Sequence, residues 1–373
     1  MKRSRKLAVA GTAVALGAAA VTTAIVAADP QEQRTASSVA AAAELVWPIV
    51  QSHPTADAGS SLSDVASAPD GTMWAVGGVQ NSPVYKPVFQ RLSGGTWSDV
   101  ALPASLNAYR FNAVSATSPS NVWVAAQLNT SGDSHALLRW NGTAWAVAKT
   151  PLSFQPSDIA TAGPASTWAV TAMSAKYWNG TAWADTPIGI KPRALAAVSP
   201  TSAWAVGWAD GHPATARWNG TKWTDVPFPA IDGIVKGGEI ASTLHDVYAA
   251  SANDVWAVGA VRVADAAGKE VARSLLAHWN GTKWTNVLGA PGSTLTEVTS
   301  DGAGGIWVLS GRSAMRHRTA AGVWSEETLA QPAGTTVIPA AMAVRPGTTT
   351  VWAVGWTSTV ATRYADLAHW RSN

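Results

Sequence analysis

The sequence predicts an all-β protein, a seven-bladed β-propeller of four-stranded antiparallel blades. Three observations predict it: a repeat of about 46 residues, an Asn-Gly turn inside the repeat, and two chain ends that complete one another. Tryptophan marks the repeat. The 373 residues include 21 Trp against four Phe and five Tyr, a bias that must come from a recurring structural position. Seven short apolar runs centre on one: Met73-Trp74-Ala75-Val76-Gly77, Val122-Trp123-Val124, Thr167-Trp168-Ala169-Val170, Ala203-Trp204-Ala205-Val206-Gly207, Val255-Trp256-Ala257-Val258-Gly259, Ile306-Trp307-Val308-Leu309 and Val351-Trp352-Ala353-Val354-Gly355. Successive members lie 49, 45, 36, 52, 51 and 45 residues apart.

Each period holds four β-like runs separated by turn residues; in the second unit these are Phe111–Thr117, Asn121–Ala126, His135–Trp140 and Thr143–Ala148. Four units carry Trp-Asn-Gly-Thr-x-Trp, at Trp140, Trp178, Trp218 and Trp279. Asn-Gly between runs three and four predicts a type I′ hairpin, since both residues tolerate positive φ. Pro69-Asp70-Gly71 and Pro119-Ser120-Asn121 supply the turn between runs one and two, so each unit reads as a meander. The runs are apolar on both faces, and a lone four-stranded sheet cannot bury two faces. Stacking the sheets radially can.

The ends give the blade count. The last unit stops at Arg371-Ser372-Asn373, where its Asn-Gly turn should stand, and lacks a fourth strand. Leu45–Val50 resembles a fourth strand, with Trp47 aligned to Trp97, Trp145, Trp183, Trp223, Trp284 and Trp324. An N-terminal strand completing the last blade closes seven blades and leaves no open edge. Seven Trp then fall in second strands and seven in fourth strands. Five fall in third strands: Trp140, Trp178, Trp218, Trp279 and Trp370. Trp208 and Trp356 are left over, each four residues after a second-strand Trp.

Ahead of the propeller, assigned to residues 44–373, residues 1–28 read as a secretory signal peptide. Lys2, Arg3, Arg5 and Lys6 precede an uncharged Ala/Val-rich run that ends in small residues at Val26-Ala27-Ala28. An uncleaved membrane anchor is the competing reading. Residues 29–43 read as a linker. Removing four positive charges turns the formal +3 into −1, so the expected product is extracellular, without a membrane span and without an electrostatic motive for nucleic acid. Cysteine is absent, which excludes disulfides, thiolate metal sites and cysteine nucleophiles.

In a meander, turns one-to-two and three-to-four lie on one side of the disk; loops two-to-three and four-to-one lie on the other. The first side is uniform; its Asn-Gly turns match a glycosylation sequon as well as a hairpin, and hairpin geometry accounts for them. The second side is variable, and variable loops on a rigid scaffold are where recognition resides. Its candidate ligand-binding residues are Trp208, Trp356, Tyr109, Phe154, Asp210, His212, Phe228 and Tyr364: an exposed indole offers a flat apolar face to the C–H face of a sugar, and Asp and His bond its hydroxyls. The long segments Ala230–Thr243 and Val261–Arg273 read as loops on this side. Asp64, Asp158, Asp246 and Glu297 each stand ten residues before a second-strand Trp, nearest the channel. They are either a ring for a cation or basic peptide, or acids satisfying bonds between strands and blades. The sequence holds no His-Glu-x-x-His, Gly-x-Ser-x-Gly, P-loop or dinucleotide fingerprint, and predicts no catalytic residue, metal or cofactor.

On these units, residues 44–373 resemble the tryptophan-rich secreted β-propellers of actinobacteria and, more loosely, seven-bladed bacterial lectins. The layout of an export signal followed by one propeller is similar to that of the targeting subunit of Streptomyces umbrella toxin particles. That resemblance implies a non-catalytic binder of cell-surface carbohydrate that docks an adaptor protein within a secreted antibacterial complex. A sugar-active hydrolase or lyase and a protein-docking scaffold are the alternatives.

Overall fold

Each repeat of the sequence forms one antiparallel sheet, and the seven sheets are the blades. The computed structural model describes residues 46–54, 59–81, 84–128, 135–152, 155–235, 242–359 and 366–372. The expected export signal and linker, and the candidates Phe154 and Tyr364, lie outside the described residues. Blade 1 comprises Gly59–Ser67, Met73–Asn81, Val84–Ser93 and Thr96–Asp99, and blade 2 Tyr109–Ser118, Asn121–Leu128, His135–Trp140 and Trp145–Leu152. Blade 3 holds Pro156–Gly163, Ser166–Thr171, Ala175–Trp178 and Trp183–Thr186; blade 4 holds Lys191–Ser199, Ser202–Ala209, His212–Trp218 and Trp223–Val226. Blade 5 is built from Thr243–Ser251, Asp254–Ala264, Glu270–Trp279 and Trp284–Pro291, and blade 6 from Leu295–Ser300, Ile306–Ser310, Ala314–Arg318 and Trp324–Leu329. Blade 7 takes Thr335–Val344, Val351–Thr359 and Asp366–Arg371, and its fourth strand is Ile49–Pro54. First strands pack side by side around the axis, and Thr335–Val344 meets Gly59–Ser67, so the ring is closed. No helix of the described residues is long and apolar enough to cross a membrane.

The closure follows the sequence and adds to it. Ile49–Pro54 pairs antiparallel with Asp366–Arg371. Continuing the Ile49–Trp370 register brings Trp47 to the level of Ser372, which is the fourth-strand place. Val46 and Trp47 also add a short parallel strand to the outer edge of blade 6 through Thr328 and Leu329. Pro48 separates the two pairings, because it has no N–H to offer a ladder. The third strand of blade 7 departs from expectation. Trp352 faces Arg371, whereas Trp204 faces Arg217, so Trp370 stands two residues away from the place of Trp218. Ser372 fills that place; its hydroxyl accepts the N–H of Val351 at 2.9 Å.

Tryptophan explains why neighbouring blades adhere. The second-strand indole of one blade meets the fourth-strand indole of the next edge to face: Trp123 with Trp183 at 5.3 Å and 88°, Trp204 with Trp284 at 5.5 Å and 88°. Trp352 of blade 7 meets Trp97 of blade 1 at 5.7 Å, and Trp307 of blade 6 meets Trp47 at 4.9 Å, so both joints at the closure reuse the same contact. The indole N–H groups of Trp204 and Trp284 are buried here without oxygen partners. Within each blade the second-strand Trp is covered from the third strand. Arg91, Arg139 and Arg217 lie 5.3, 5.4 and 5.6 Å from the rings of Trp74, Trp123 and Trp204. His278 and His317 stack on Trp256 and Trp307 at 4.0 and 4.4 Å. His369 instead is buried against Trp97, at 4.8 Å, as the register of blade 7 requires.

Glycine in the Trp-Ala-Val-Gly runs is fixed by close approach. A Cβ on Gly77, Gly207, Gly259 or Gly355 would stand 2.0–2.2 Å from a carbonyl oxygen of the inner strand. The Asn-Gly turns are not the two-residue type I′ hairpins expected. Trp140 pairs with Trp145 across four residues, and of the turn only Gly142 has positive φ. The Asn141 Oδ1 accepts from Thr143 N–H, Thr143 O–H and Ala144 N–H at 3.0, 2.9 and 2.8 Å, which replaces backbone bonds a tighter turn would make. Blades 3, 4 and 5 repeat this around Asn179, Asn219 and Asn280.

Candidate functional site

On the variable side, blade 4 brings three candidate residues together with a fourth side chain, Lys191. Ser202–Ala209 and His212–Trp218 are joined by Asp210-Gly211 alone, at φ of 50° and 77°, so the type I′ hairpin stands here and not at Asn-Gly. The expected loop Trp208–His212 is therefore strand except for its two-residue tip. Trp208 is half-buried across from Lys191 and Pro213, and the Lys191 ammonium lies 4.1 Å from its ring centre. Asp210 and His212 are exposed beside it. Lys191 was not a sequence candidate; it opens the inner strand, seventeen residues from Trp208, and only the strand pairing joins them.

The other candidates disperse. Trp356 is half-buried at the matching level of blade 7, three blades around the ring, so the two spare indoles cannot grip one small ligand. Tyr109 is 8% exposed and belongs to the core between blades 1 and 2, with Trp74, Leu106 and Phe111. Phe228 packs 6.0 Å from Trp284 in the core beneath blade 5. The reason is that Val261–Arg273 is not a loop: strands run to Ala264 and resume at Glu270, leaving a turn over Asp265–Lys269. Part of Ala230–Thr243 lies along this hairpin, with Val235 N–H donating to the Arg262 carbonyl and Ile234 bridging Val263. The alternation of buried Val261 and Val263 with exposed Arg262 and Ala264 is the signal that would have shown a strand.

The acids occupy one level of the channel. Every inner strand carries one extra residue just before this level, leaving Asp64, Ala113, Asp158, Ala194, Asp246, Glu297 and Ala341 in equivalent places. Three aspartates clamp adjacent blades. Asp64 accepts Val65 N–H and, from blade 2, Val114 N–H, both at 2.7 Å. Asp158 joins Ile159 to Leu195 of blade 4, and Asp246 joins Val247 to Val298 of blade 6, all at 2.7–2.8 Å. Of the two readings of the acids, bonding between blades thus accounts for these three. Removal from water pushes Asp64 up to about 7 and Asp246 up to about 6, against the pull of their N–H bonds. Asp158 and Glu297 rise well above the carboxylate range for the same reason, and the other acids of the ring add repulsion. Burial lowers His245, whose Nδ1 donates to the Leu295 carbonyl at 2.8 Å. Among the described residues no three His, Asp or Glu are grouped to hold a metal ion.

No protein-family profile matches the chain. No curated protein matches it either. Solved structures do. The chain is similar to YCF48 bound to D1 peptide, with 15% identity and a TM-score of 0.54 over 87% of this chain and 97% of that one. It is similar also to the extracellular domain of the putative hybrid two-component system BT3049 of B. thetaiotaomicron, with 10% identity and a TM-score of 0.51 over 83% of this chain and 39% of that one. At these identities the likeness establishes the fold, and the chain is a seven-bladed β-propeller.

Proposed function

We propose that this propeller is a secreted, non-catalytic binding module that recognises cell-surface carbohydrate through the blade 4 hairpin. The observation that carries the reading is that hairpin's tip: a half-open indole with exposed Asp210, His212 and the Lys191 ammonium around it, on the variable side of a rigid ring. The indole offers a sugar its stacking surface, and the charged groups fix the hydroxyls. A targeting role within an extracellular toxin complex extends the same reading. A protein-docking role is the second reading, favoured by the similarity to YCF48 bound to D1 peptide.

A glycan array and a cell-wall pull-down with the full chain and Trp208→Ala test the proposal. Specific glycan binding that falls about tenfold or more in Trp208→Ala supports it. Binding of a fixed protein set, with no glycan bound and no effect of the substitution, establishes the docking role instead.

A further inference from the structure

Among the described residues, the outer (fourth) strand of blade 5 has the longest edge without a guard. An edge strand presents a row of N–H and C=O groups to any chain that can pair with it, and folds defend such rows with charge, proline or a covering strand. Blades 1, 3 and 4 end in four-residue strands that carry Asp99, Asp185 and Asp225. The outer strand of blade 2 contains Lys149; that of blade 6 contains Glu326 and Glu327 and is covered in part by Val46 and Trp47. In blade 7 Pro48 precedes the strand and Pro54 ends it. In blade 5, Trp284–Ala290 runs for seven residues with neither charge nor proline, the longest such run on an outer strand. Val287, in its middle, is 66% exposed. The backbone of Thr285–Leu288 bonds inward to Glu270–Trp279 and to nothing else among the described residues.

We propose that this edge binds an extended, acid-flanked segment of a partner protein, which adds to blade 5 as a fifth strand. Two observations select that occupant. The ring already accepts a fifth strand: Val46–Trp47 lies parallel to Thr328 and Leu329 of blade 6, and the Trp47 Nε1 donates to Glu327 at 2.7 Å. The uncharged run is also bracketed by cations. The exposed Lys283 precedes Trp284, and its ammonium has no partner among the described residues; towards the other end the Arg273 Nε donates to the Gly289 carbonyl at 2.6 Å. The acids of the blade are engaged elsewhere: Asp246 clamps blade 6, Asp254 bonds His278, Glu270 faces Arg262 and Asp265 caps its own turn. The same cations disfavour a second copy, since antiparallel pairing of two such strands would set Lys283 of one against Arg273 of the other. Backbone bonds supply the affinity, Val287 gives an apolar side chain of the incoming strand its neighbour, and carboxylates at both ends pair with Lys283 and Arg273. The proposal concerns the outer rim and does not rest on the blade 4 hairpin.

Titration of the full chain with a synthetic peptide of alternating valine and threonine, carrying a pair of aspartates at each end, tests it by fluorescence anisotropy and amide hydrogen exchange. The wild type is expected to bind, to slow exchange within Trp284–Pro291, and to lose affinity as salt rises. The same peptide with proline at its centre cannot complete a ladder and should bind about tenfold or more weaker. Val287→Asp changes an exposed position, leaves the fold intact and should weaken binding about tenfold or more, while Lys283→Glu should weaken it about threefold or more. Binding retained in Val287→Asp, equal binding of the proline peptide, protection confined to other strands, or no binding by the wild type would each overturn the proposal. Self-association of the wild type that Val287→Asp abolishes would overturn it too, by making a second copy the occupant. Peptide affinity that survives Trp208→Ala separates this edge from the proposed sugar site.

Discussion

The two ends of one strand, His212–Trp218 in blade 4, follow opposite rules. At its far end the Asn219 Oδ1 takes Thr221 N–H, Thr221 O–H and Lys222 N–H at 3.0, 2.9 and 3.0 Å, and Trp218 Nε1 donates to the Pro200 carbonyl at 3.2 Å. The same bonds recur in blades 2 and 3, so the polar groups of that side are consumed by the turn itself. At the near end Asp210-Gly211 closes the hairpin by backbone geometry alone, and the side chains of Asp210 and His212 have no hydrogen bond among the described residues. A repeated side is chemically self-contained; a side built from short hairpins leaves functional groups to solvent and to ligands.

The sharpest test of this contrast uses two indoles of one strand. Trp204 is fully buried against Trp279, Trp284 and Arg217, and Trp204→Ala should lower stability by about 3–5 kcal/mol in urea titrations. Trp208→Ala, four residues on, should cost less than about 1.5 kcal/mol while weakening the proposed glycan binding about tenfold or more; equal losses at both positions would erase the distinction between core and rim. A smaller effect separates the channel from the surface. Asp64, Asp158, Asp246 and Glu297 are raised above their unfolded values, so the stability they contribute is complete below about pH 4 and is lost as pH rises through about 6 to 7 and beyond. His245, lowered in the fold, and Asp301, held down by its bonds to His317 and backbone N–H groups despite partial burial, act in the opposite sense at the acid end. The melting temperature should therefore be higher at pH 5.5 than at pH 8, and a rise across that interval would show that the ring is ionised at no cost. The smallest effect compares the two turns. Asn219→Ala should cost about 1–2 kcal/mol by orphaning donors, whereas Asp210→Gly, which relieves a positive φ, should change stability by no more than about 1 kcal/mol.

The architecture was legible because it is written seven times. Tryptophan spacing, the glycine after Ala-Val and the truncated final unit each report a contact that recurs at every blade joint, and Trp47 and Trp97 show it continuing through the closure. What failed to read out was local and single. Asn-Gly suggested a two-residue turn because backbone preference was considered without the Asn side chain, which caps a longer one. Tyr109 and Phe228 looked like exposed aromatics because they stand at the steps between one unit and the next, and only the neighbouring blade shows what covers them. The acid ring was visible as a spacing, but its division into three clamps and one unused carboxyl depends on which N–H groups the next blade presents. Lys191 was silent, since nothing in the sequence links the start of one strand to the end of the next.

The latch formed by Ile49–Pro54 also orders events in the life of the chain. The N–H of Leu367 donates to the hydroxyl of Ser60, 307 residues away in sequence, within the joint between blade 7 and blade 1. A polypeptide made from its N-terminal side must carry Ile49–Pro54 as an unmatched edge until Asp366–Arg371 arrives to receive it. Closure of the ring therefore waits on the pairing of two segments more than 300 residues apart.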